Sequence, residues 1–222
     1  GVEYDVTYNI EVTVEPYWKH FSQLININRN KALPRDPDFS TETGDAYGID
    51  FLFKYDYKRY YVWVAYSLGY VRRYDGEQTY PPHYDRRHNT NLILTYLAGK
   101  NEDWEISGRW NFGSGFPFTQ TAGFYEQLNF LDGISTDYTS ANGSLGILYD
   151  DENLNGGRLP DYHRFDFSVK KGVVFLNETK LDLTASVTNV YNRDNVFFFD
   201  RVSAERVDQL PILPALTASY SF

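Results

Sequence analysis

The stretch Leu181-Asp182-Leu183-Thr184-Ala185-Ser186-Val187-Thr188 decides the fold class. Apolar and polar residues alternate at every position along it. Successive side chains of a β-strand point to opposite faces of the sheet, whereas a helix repeats its apolar residues every three or four positions. The stretch therefore predicts a β-strand that has one apolar face and one polar face.

The same alternation recurs along most of the chain, with hardly any helical periodicity. The composition agrees, because 20 Tyr, 16 Phe and 4 Trp among 222 residues are typical of strands. The sequence therefore predicts an all-β protein. Its eight strands and one truncated first strand are expected at 1–5, 10–24, 47–57, 60–74, 92–96, 104–110, 165–169, 181–187 and 216–222.

Charge and hydropathy exclude several classes of protein. The net charge of -9 leaves no basic stripe for a nucleic-acid partner, and the absence of Cys removes disulfides and thiolate metal sites. Mean hydropathy is -0.51, and no run of about eighteen apolar residues could form a transmembrane helix. A transmembrane barrel is still allowed, because its alternating strands average the hydropathy of their two faces.

The predicted connections alternate between short and long. Tight turns are expected near 56–59, 98–102 and 172–178. Long excursions alternate with them at 28–44, 75–87, 112–158 and 192–210. Bacterial outer-membrane barrels have short periplasmic turns, long extracellular loops and aromatic girdles at both membrane interfaces. Tyr57, Tyr60 and Trp104 fall at short-turn ends of strands, and Tyr47 and Tyr70 fall at long-loop ends. We therefore expect a transmembrane antiparallel β-barrel.

A soluble β-sandwich is the alternative explanation, since period two does not tell which face is buried. The aromatic bracketing and the loop asymmetry favour the barrel. The C-terminus favours it as well. Phe222 closes the chain with Tyr220 two positions earlier, and this pattern resembles the signal by which outer-membrane barrels are recognised for assembly. An ordinary edge strand could end in the same way.

Several segments resemble the C-terminal barrel of TonB-dependent receptors, particularly those of Bacteroidota-type bacteria. Their order and spacing span nearly the whole chain, which makes the resemblance specific. The segments are Tyr66-Ser67-Leu68 leading to Tyr80-Pro81-Pro82-His83-Tyr84-Asp85-Arg86-Arg87-His88-Asn89, Trp110-Asn111-Phe112-Gly113-Ser114-Gly115-Phe116-Pro117-Phe118-Thr119, Gly157-Arg158-Leu159-Pro160-Asp161-Tyr162-His163-Arg164-Phe165-Asp166 and Val187-Thr188-Asn189-Val190-Tyr191-Asn192.

The resemblance implies a barrel of about 22 strands closed around a plug, of which residues 1–222 would form about the last eight or nine strands. The chain starts in what looks like the tail of a strand, without a plug or the N-terminal segment that contacts TonB, so we expect a fragment. The implied partners are outer-membrane lipid, the rest of the receptor, TonB through the missing N-terminus and a candidate surface lipoprotein. No cofactor is expected.

The implied function is the import of a scarce nutrient, such as a metal chelate, an oligosaccharide or a peptide, across the outer membrane of a Gram-negative bacterium. The polar faces of the strands would line the lumen and hold the plug. The expected wall and plug contacts are Asp50, Lys54, Glu105, Arg109, Arg164, Asp166, Lys170 and Asp182.

A second group of candidates lies in the predicted long loops. The arginines could bind an anionic ligand, because guanidinium matches carboxylate and phosphate, but ion pairs at the lumen rim are the favoured alternative. The aromatic residues could grip a substrate or equally pack loop against loop. These candidate ligand or loop contacts are Tyr84, Arg86, Arg87, His88, Phe116, Phe118, Phe124, Tyr125, Phe197, Phe198 and Phe199.

Catalysis is not predicted. The sequence has no metal-ligand spacing, no nucleophile elbow and no phosphate-binding glycine loop. We therefore expect transport rather than an enzyme. The alternative function is a small free-standing outer-membrane barrel with a structural, adhesive or assembly role, which eight strands could form.

Overall fold

The computed structural model describes residues 1–31, 33–126, 145–175 and 179–222. The loop predicted at 112–158 and the turn predicted at 172–178 lie partly outside these residues. A three-residue 3-10 helix spans Asp151–Asn153, and the described part of the chain holds no helix that could span a bilayer. Its strands are β1 (Val2–Thr7), β2 (Ile10–Ile27), β3 (Phe39–Tyr57), β4 (Tyr60–Tyr74), β5 (Thr79–Tyr80), β6 (His88–Ala98), β7 (Trp104–Gly113), β8 (Pro117–Phe118), β9 (Thr121–Glu126), β10 (Leu145–Tyr149), β11 (Gly157–Arg158), β12 (Tyr162–Val174), β13 (Lys180–Thr188), β14 (Val196–Asp200), β15 (Glu205–Asp208) and β16 (Leu213–Ser221).

One large antiparallel sheet dominates the fold, which confirms the all-β prediction. Its strands follow the order β1-β2-β3-β4-β6-β7-β12-β13-β16, and the short β5 pairs with β4. Each long strand thus lies beside its neighbour in the chain, as in a meander. The edges are β1 and β16, so the described strands form an open sheet and do not close a barrel by themselves.

The connections between the long strands alternate in length. Short connections span 8–9, 58–59, 99–103 and 175–179. Long connections span 28–38, 75–87, 114–161 and 189–212. Because neighbouring strands are antiparallel, all the short connections join strands at one end of the sheet, and all the long connections join them at the opposite end. The predicted alternation is therefore confirmed for the described residues.

The long connections carry small sheets that the alternation pattern did not predict. β8 pairs with β11, β9 with β10, and β14 with β15. β8 and β11 have two residues each, too few for period two, and β14 reads Val-Phe-Phe-Phe-Asp without alternation, so the pattern does not reveal these strands.

The hairpin of β2 and β3 extends beyond its predicted length. The two strands have 18 and 19 residues, and β3 begins at Phe39, whereas the alternation predicts a start at 47. Pairing continues past a register shift between Phe21 and Leu24. An irregularity of this kind interrupts the alternation of the side chains while the backbone hydrogen bonds continue on either side of it.

Candidate functional site

One face of the large sheet is apolar. Directly opposed residues of antiparallel strands point to the same face, so the register assigns each side chain. A row of opposed residues crosses six strands through Tyr60, Tyr96, Ile106, Val169, Ala185 and Leu216. This face is also exposed, since Leu183 is 45% and Leu216 is 87% accessible. The apolar residues of the sheet therefore do not form a buried core.

The other face of the sheet is polar. A row of opposed residues crosses five strands through Lys54, Trp63, Ile93, Arg109 and Asp166. By the same register, all eight predicted wall residues share this face. Their contact with a plug stays a prediction.

Most of the cations on the polar face have carboxylate partners. Arg164 Nε lies 2.9 Å from Asp166 Oδ1, and Lys54 Nζ lies 3.8 Å from Glu11 Oε2. Lys170 pairs with Glu105 across the register of β7 and β12. Partly exposed pairs of this kind each contribute up to about 1 kcal/mol. Their main effect is to balance charge along the face.

Buried hydrogen bonds join the loops above the sheet through Asp85. The Asp85 side chain is fully buried, and its Oδ1 accepts a 3.0 Å hydrogen bond from the Val71 N–H. Its Oδ2 accepts 3.0 Å and 2.5 Å bonds from Arg87 Nε and Arg158 Nη2. Arg158 Nη1 also donates to the carbonyl of Gly115 at 3.0 Å. The carboxylate thus ties the end of β4 to the connection between β7 and β12.

A second polar cluster lies on the extended β2–β3 hairpin. Glu42 and Tyr80 are 2% and 4% exposed, and the Tyr80 hydroxyl donates to both carboxylate oxygens of Glu42 at 2.8 and 2.7 Å. Asn26 Nδ2 donates to Glu42 Oε1 at 2.7 Å, and Arg73 Nε lies 2.7 Å from Glu42 Oε2. Sequence analysis missed this cluster, because its residues lie in regions that were predicted as loops or loop boundaries.

The basic segment 86–88 does not act as one unit. Arg87 donates to Asp85 and stacks on Tyr70, with its guanidinium carbon 4.2 Å from the ring centroid. The His88 ring lies on the apolar face, where its Nδ1 is 2.9 Å from the Tyr66 hydroxyl. Arg87 thus makes an ion pair with Asp85, whereas His88 makes a hydrogen bond on the apolar face, and the roles of both residues stay predictions.

Arg86 and Tyr84 contact aromatic side chains. The Arg86 guanidinium carbon lies 4.1 Å from the centroid of the Phe116 ring, so the structure brings together two of the predicted loop contacts. Tyr84 is 51% exposed and lies edge-on to His83, with ring centroids 5.2 Å apart.

The remaining aromatic candidates do not converge. Phe118 contacts Arg201, whose guanidinium carbon is 5.7 Å from the ring centroid. Phe124 and Tyr125 are exposed on β9, and the three residues Phe197, Phe198 and Phe199 are exposed on β14. No ring contact joins these three groups within the described ranges. Their roles stay predictions.

The C-terminal aromatics lie at the edge of the sheet. The rings of Tyr220 and Phe222 are 6.2 Å apart, and both side chains are exposed. Tyr220 belongs to the edge strand β16 and faces the same side as Leu181, its register partner. The role of the two residues in assembly stays a prediction.

Asn189 anchors the long connection after β13, and sequence analysis missed it. It is fully buried with a φ of 54°, and its Nδ2 donates to the carbonyls of Arg193 and Leu210 at 2.9 and 3.2 Å. Its backbone N–H donates to Asp166 Oδ1 at 2.9 Å. An Asn directly after an alternating strand is a recognisable signal, since Asn tolerates positive φ better than most residues.

The comparisons with known proteins identify no relative. No protein-family model, no curated protein and no solved structure matches the chain. Among the described residues, no group of three or more His, Asp or Glu side chains is placed to hold a metal ion.

Proposed function

We propose that the chain forms the C-terminal part of the barrel of a TonB-dependent outer-membrane receptor, which imports a scarce nutrient across the outer membrane of a Gram-negative bacterium. The proposed location in the membrane rests on one observation, namely that the sheet has one exposed apolar face and one polar face. The assignment to TonB-dependent receptors is supported by the sequence segments that resemble them.

The lack of a buried apolar core supports a lipid environment. Among the described residues, the buried hydrophobic side chains are Tyr80 and Leu154, and both lie in the long connections. Burying a large apolar side chain stabilises a protein by about 1.5–3 kcal/mol, so a soluble domain would turn residues such as Leu216 inward. Contact with acyl chains removes that requirement, and it argues against the soluble sandwich.

The spacing of the aromatic residues fits a bilayer. Tyr47 and Tyr70 are register partners whose rings stack 5.4 Å apart, and Tyr57 and Tyr60 are register partners at the short-turn edge. Ten positions separate the two levels on each strand. At about 3.3 Å per residue and a tilt of about 40°, the levels lie about 25 Å apart, the height of the apolar band of outer-membrane barrels.

The open edges of the sheet support the proposal that the chain forms part of a larger barrel. β1 and β16 each leave one side of the backbone unpaired in the described sheet. Unpaired N–H and C=O groups cannot be left in the hydrocarbon layer, because no water is there to satisfy them. Further strands would therefore complete the wall, and the charged polar face would line its lumen.

The experiment that tests this proposal compares size and heat-modifiability. The protein is extracted from outer membranes in detergent, run on a gel with and without boiling, and the same band is weighed by intact mass spectrometry. We expect a heat-modifiable band well above 25.9 kDa whose sequence includes a plug. A species of 25.9 kDa that closes a barrel alone would instead support a small structural or adhesive barrel.

A further inference from the structure

Arg86 presents a donor that no described residue accepts. Its guanidinium lies between two rings, with the carbon 4.1 Å from the Phe116 centroid and 5.8 Å from that of Tyr162. Its Nε is buried and has no hydrogen-bond partner in the described part of the chain. Burial lowers the pKa of the Arg86 guanidinium below its ordinary value. A desolvated donor costs free energy unless an acceptor meets it.

The backbone makes room for this side chain. A Cβ atom added at Gly113 would lie 2.5 Å from the guanidinium carbon of Arg86. A side chain at position 113 would therefore displace the Arg86 guanidinium from the place that it occupies. Arg86 is thus held in a defined place between β7, Phe116 and Tyr162.

A second cation that makes no ion pair with any described residue lies beside it. Arg109 points from β7 to the polar face and, with Arg86 and Arg164, lines a depression of about 340 Å³. Arg164 is paired with Asp166, whereas Arg109, the register partner of Asp166, makes no ion pair among the described residues. None of the described residues that line the depression is acidic. Two arginines that make no ion pair with any described residue therefore lie together in a chain whose net charge is -9.

Neutral groups complete the wall of the depression. Asn111 donates a side-chain hydrogen bond to Asn91 across the register of β6 and β7, and Phe116 and Tyr162 supply aromatic surface. A volume of about 340 Å³ is within the range of small-ligand sites, roughly 300–1,000 Å³. The combination suits a ligand that is charged at one end and apolar at the other.

We propose that this depression binds a small organic anion, whose carboxylate or phosphate head is held by Arg86 and Arg109 and whose apolar body contacts Phe116 and Tyr162. The planar guanidinium presents paired donors that match either head group. The stacking of Arg86 on Phe116 occupies the face of the guanidinium and leaves its edge for the anion. This inference rests on the proposed receptor function and specifies the chemical class of its substrate.

The test is a titration of the detergent-purified protein, at its full native length, with benzoate, phenyl phosphate and uncharged benzyl alcohol. We expect at least one of the two anions to bind, and benzyl alcohol to bind at least about tenfold more weakly, since a charge-assisted hydrogen bond is worth about that factor. Arg86→Gln and Arg109→Gln should each weaken anion binding by about tenfold or more. Arg72→Gln is the matched control, because Arg72 lies in the row of the apolar face.

Arg109→Gln keeps the test decisive if Arg86→Gln disturbs the loop, since Arg109 is exposed on a regular strand. The inference is overturned if neither anion binds, if benzyl alcohol binds as well as the anions, or if Arg109→Gln binds them like the unaltered protein. If the titration shows no anion binding but the heat-modifiable band contains plug sequence, the receptor proposal is still supported and only the substrate inference fails. A self-closed 25.9 kDa barrel would overturn the receptor proposal whatever the titration gives.

Discussion

Arg158 donates a 2.5 Å hydrogen bond from Nη2 to Oδ2 of Asp85, a residue 73 positions earlier in the chain. The bond thus joins the long loops at 75–87 and 114–161, which lie at the same end of the sheet. The Asp85 side chain is fully buried, whereas that of Arg158 is 33% exposed. Desolvation therefore falls mainly on the carboxylate, and its three donors compensate for the lost contact with water.

Asp85→Asn tests this relationship. The change removes the negative charge that balances Arg87 and Arg158. It also replaces one acceptor oxygen by an NH2 group, which cannot accept a hydrogen bond. We expect the free energy of unfolding to fall by about 2 kcal/mol, as for other charge-assisted hydrogen bonds. Guanidinium titration in detergent, followed by Trp fluorescence, would measure the loss.

Asp194→Asn is the matched control for that measurement. Asp194 lies 3.4 Å from Arg206, but its side chain is 67% exposed. Removing this pair should change the free energy of unfolding by less than about 1 kcal/mol. Equal effects of Asp85→Asn and Asp194→Asn would show that the buried carboxylate does not hold the loops together.

The fold was largely predictable because the alternation of side chains follows directly from the backbone. In β13, the order from Leu181 to Thr188 matches the two faces that the register assigns. The prediction was wrong about the start of β3, where Thr41, Glu42 and Thr43 read as a polar loop. Beyond the register shift in β2, Ile25, Ile27 and Phe39 still share one exposed face, but Thr41 and Thr43 interrupt the apolar positions of β3, so the alternation is not visible in the sequence there.

The candidate site was less predictable, because it depends on which neighbour each charged side chain meets. The sequence places Arg86, Arg87 and His88 side by side. The structure gives Arg87 to Asp85 and His88 to Tyr66, which leaves Arg86 beside Phe116. Contacts between residues that are 30 positions apart cannot be read from local spacing.

Cysteine labelling of adjacent positions tests the two faces of the sheet. The chain has no Cys, so each introduced residue is unique within it. Spin labels at Leu183→Cys and Thr184→Cys should differ in bilayers, because Leu183 is on the apolar face and Thr184 on the polar face. We expect molecular oxygen to relax the label at 183 more strongly, and a water-soluble nickel complex to relax the label at 184 more strongly. Equal responses at both positions would contradict a lipid-facing apolar surface.

The loop that precedes β5 should respond to acid through Asp75. Burial acts to raise the pKa of Asp75, but hydrogen bonds from the N–H groups of Gln78 and Glu77 and the charge of Arg29 outweigh it and lower the pKa. A carboxyl with a lowered folded-state pKa stabilises the fold above its ordinary value, and this contribution is lost as the pH falls through the folded pKa.

Hydrogen exchange at Glu77 and Gln78 would measure this effect. In the Asp75→Asn variant, both amides should exchange faster than in the unaltered protein at pH 7. For each amide, the ratio of the rate in the variant to the rate in the unaltered protein should approach one below the Asp75 pKa. Glu77→Gln is the control, because it removes a charge from the same loop but keeps the acceptor of both N–H groups. A ratio that does not depend on pH would disprove the role of the Asp75 charge.

Gly115→Ala should disturb the crossing of the loop strands. A Cβ at this position would collide with the carbonyl oxygen of Leu159, whereas a Cβ at Gly123 would meet nothing within 4 Å. Overpacking against backbone costs about 1–3 kcal/mol. We expect Gly115→Ala to lower the free energy of unfolding by that amount and Gly123→Ala to leave it nearly unchanged. Similar values for the two variants would mean that the chain relaxes around residue 115 without cost.

The edges of the sheet provide a test that depends on strand direction. Nine strands follow one another in antiparallel order from β1 to β16, so the first and the last run in the same direction. Pairing them would create a parallel contact, whereas bacterial outer-membrane barrels are antiparallel with an even number of strands. An odd number of additional strands restores the antiparallel order, and a total of about 22 strands requires about thirteen more.

Disulfide cross-linking can therefore distinguish a partial wall from a small closed barrel. Leu183→Cys with Ala218→Cys is the positive control, because these register partners of β13 and β16 face each other directly. Tyr4→Cys combined with Cys at Pro214, Leu216 or Ala218 should not cross-link, since β1 and β16 would each pair with other strands. An efficient cross-link between β1 and β16 would mean that the nine strands close on themselves, and the free-standing barrel would then replace the receptor as the working function.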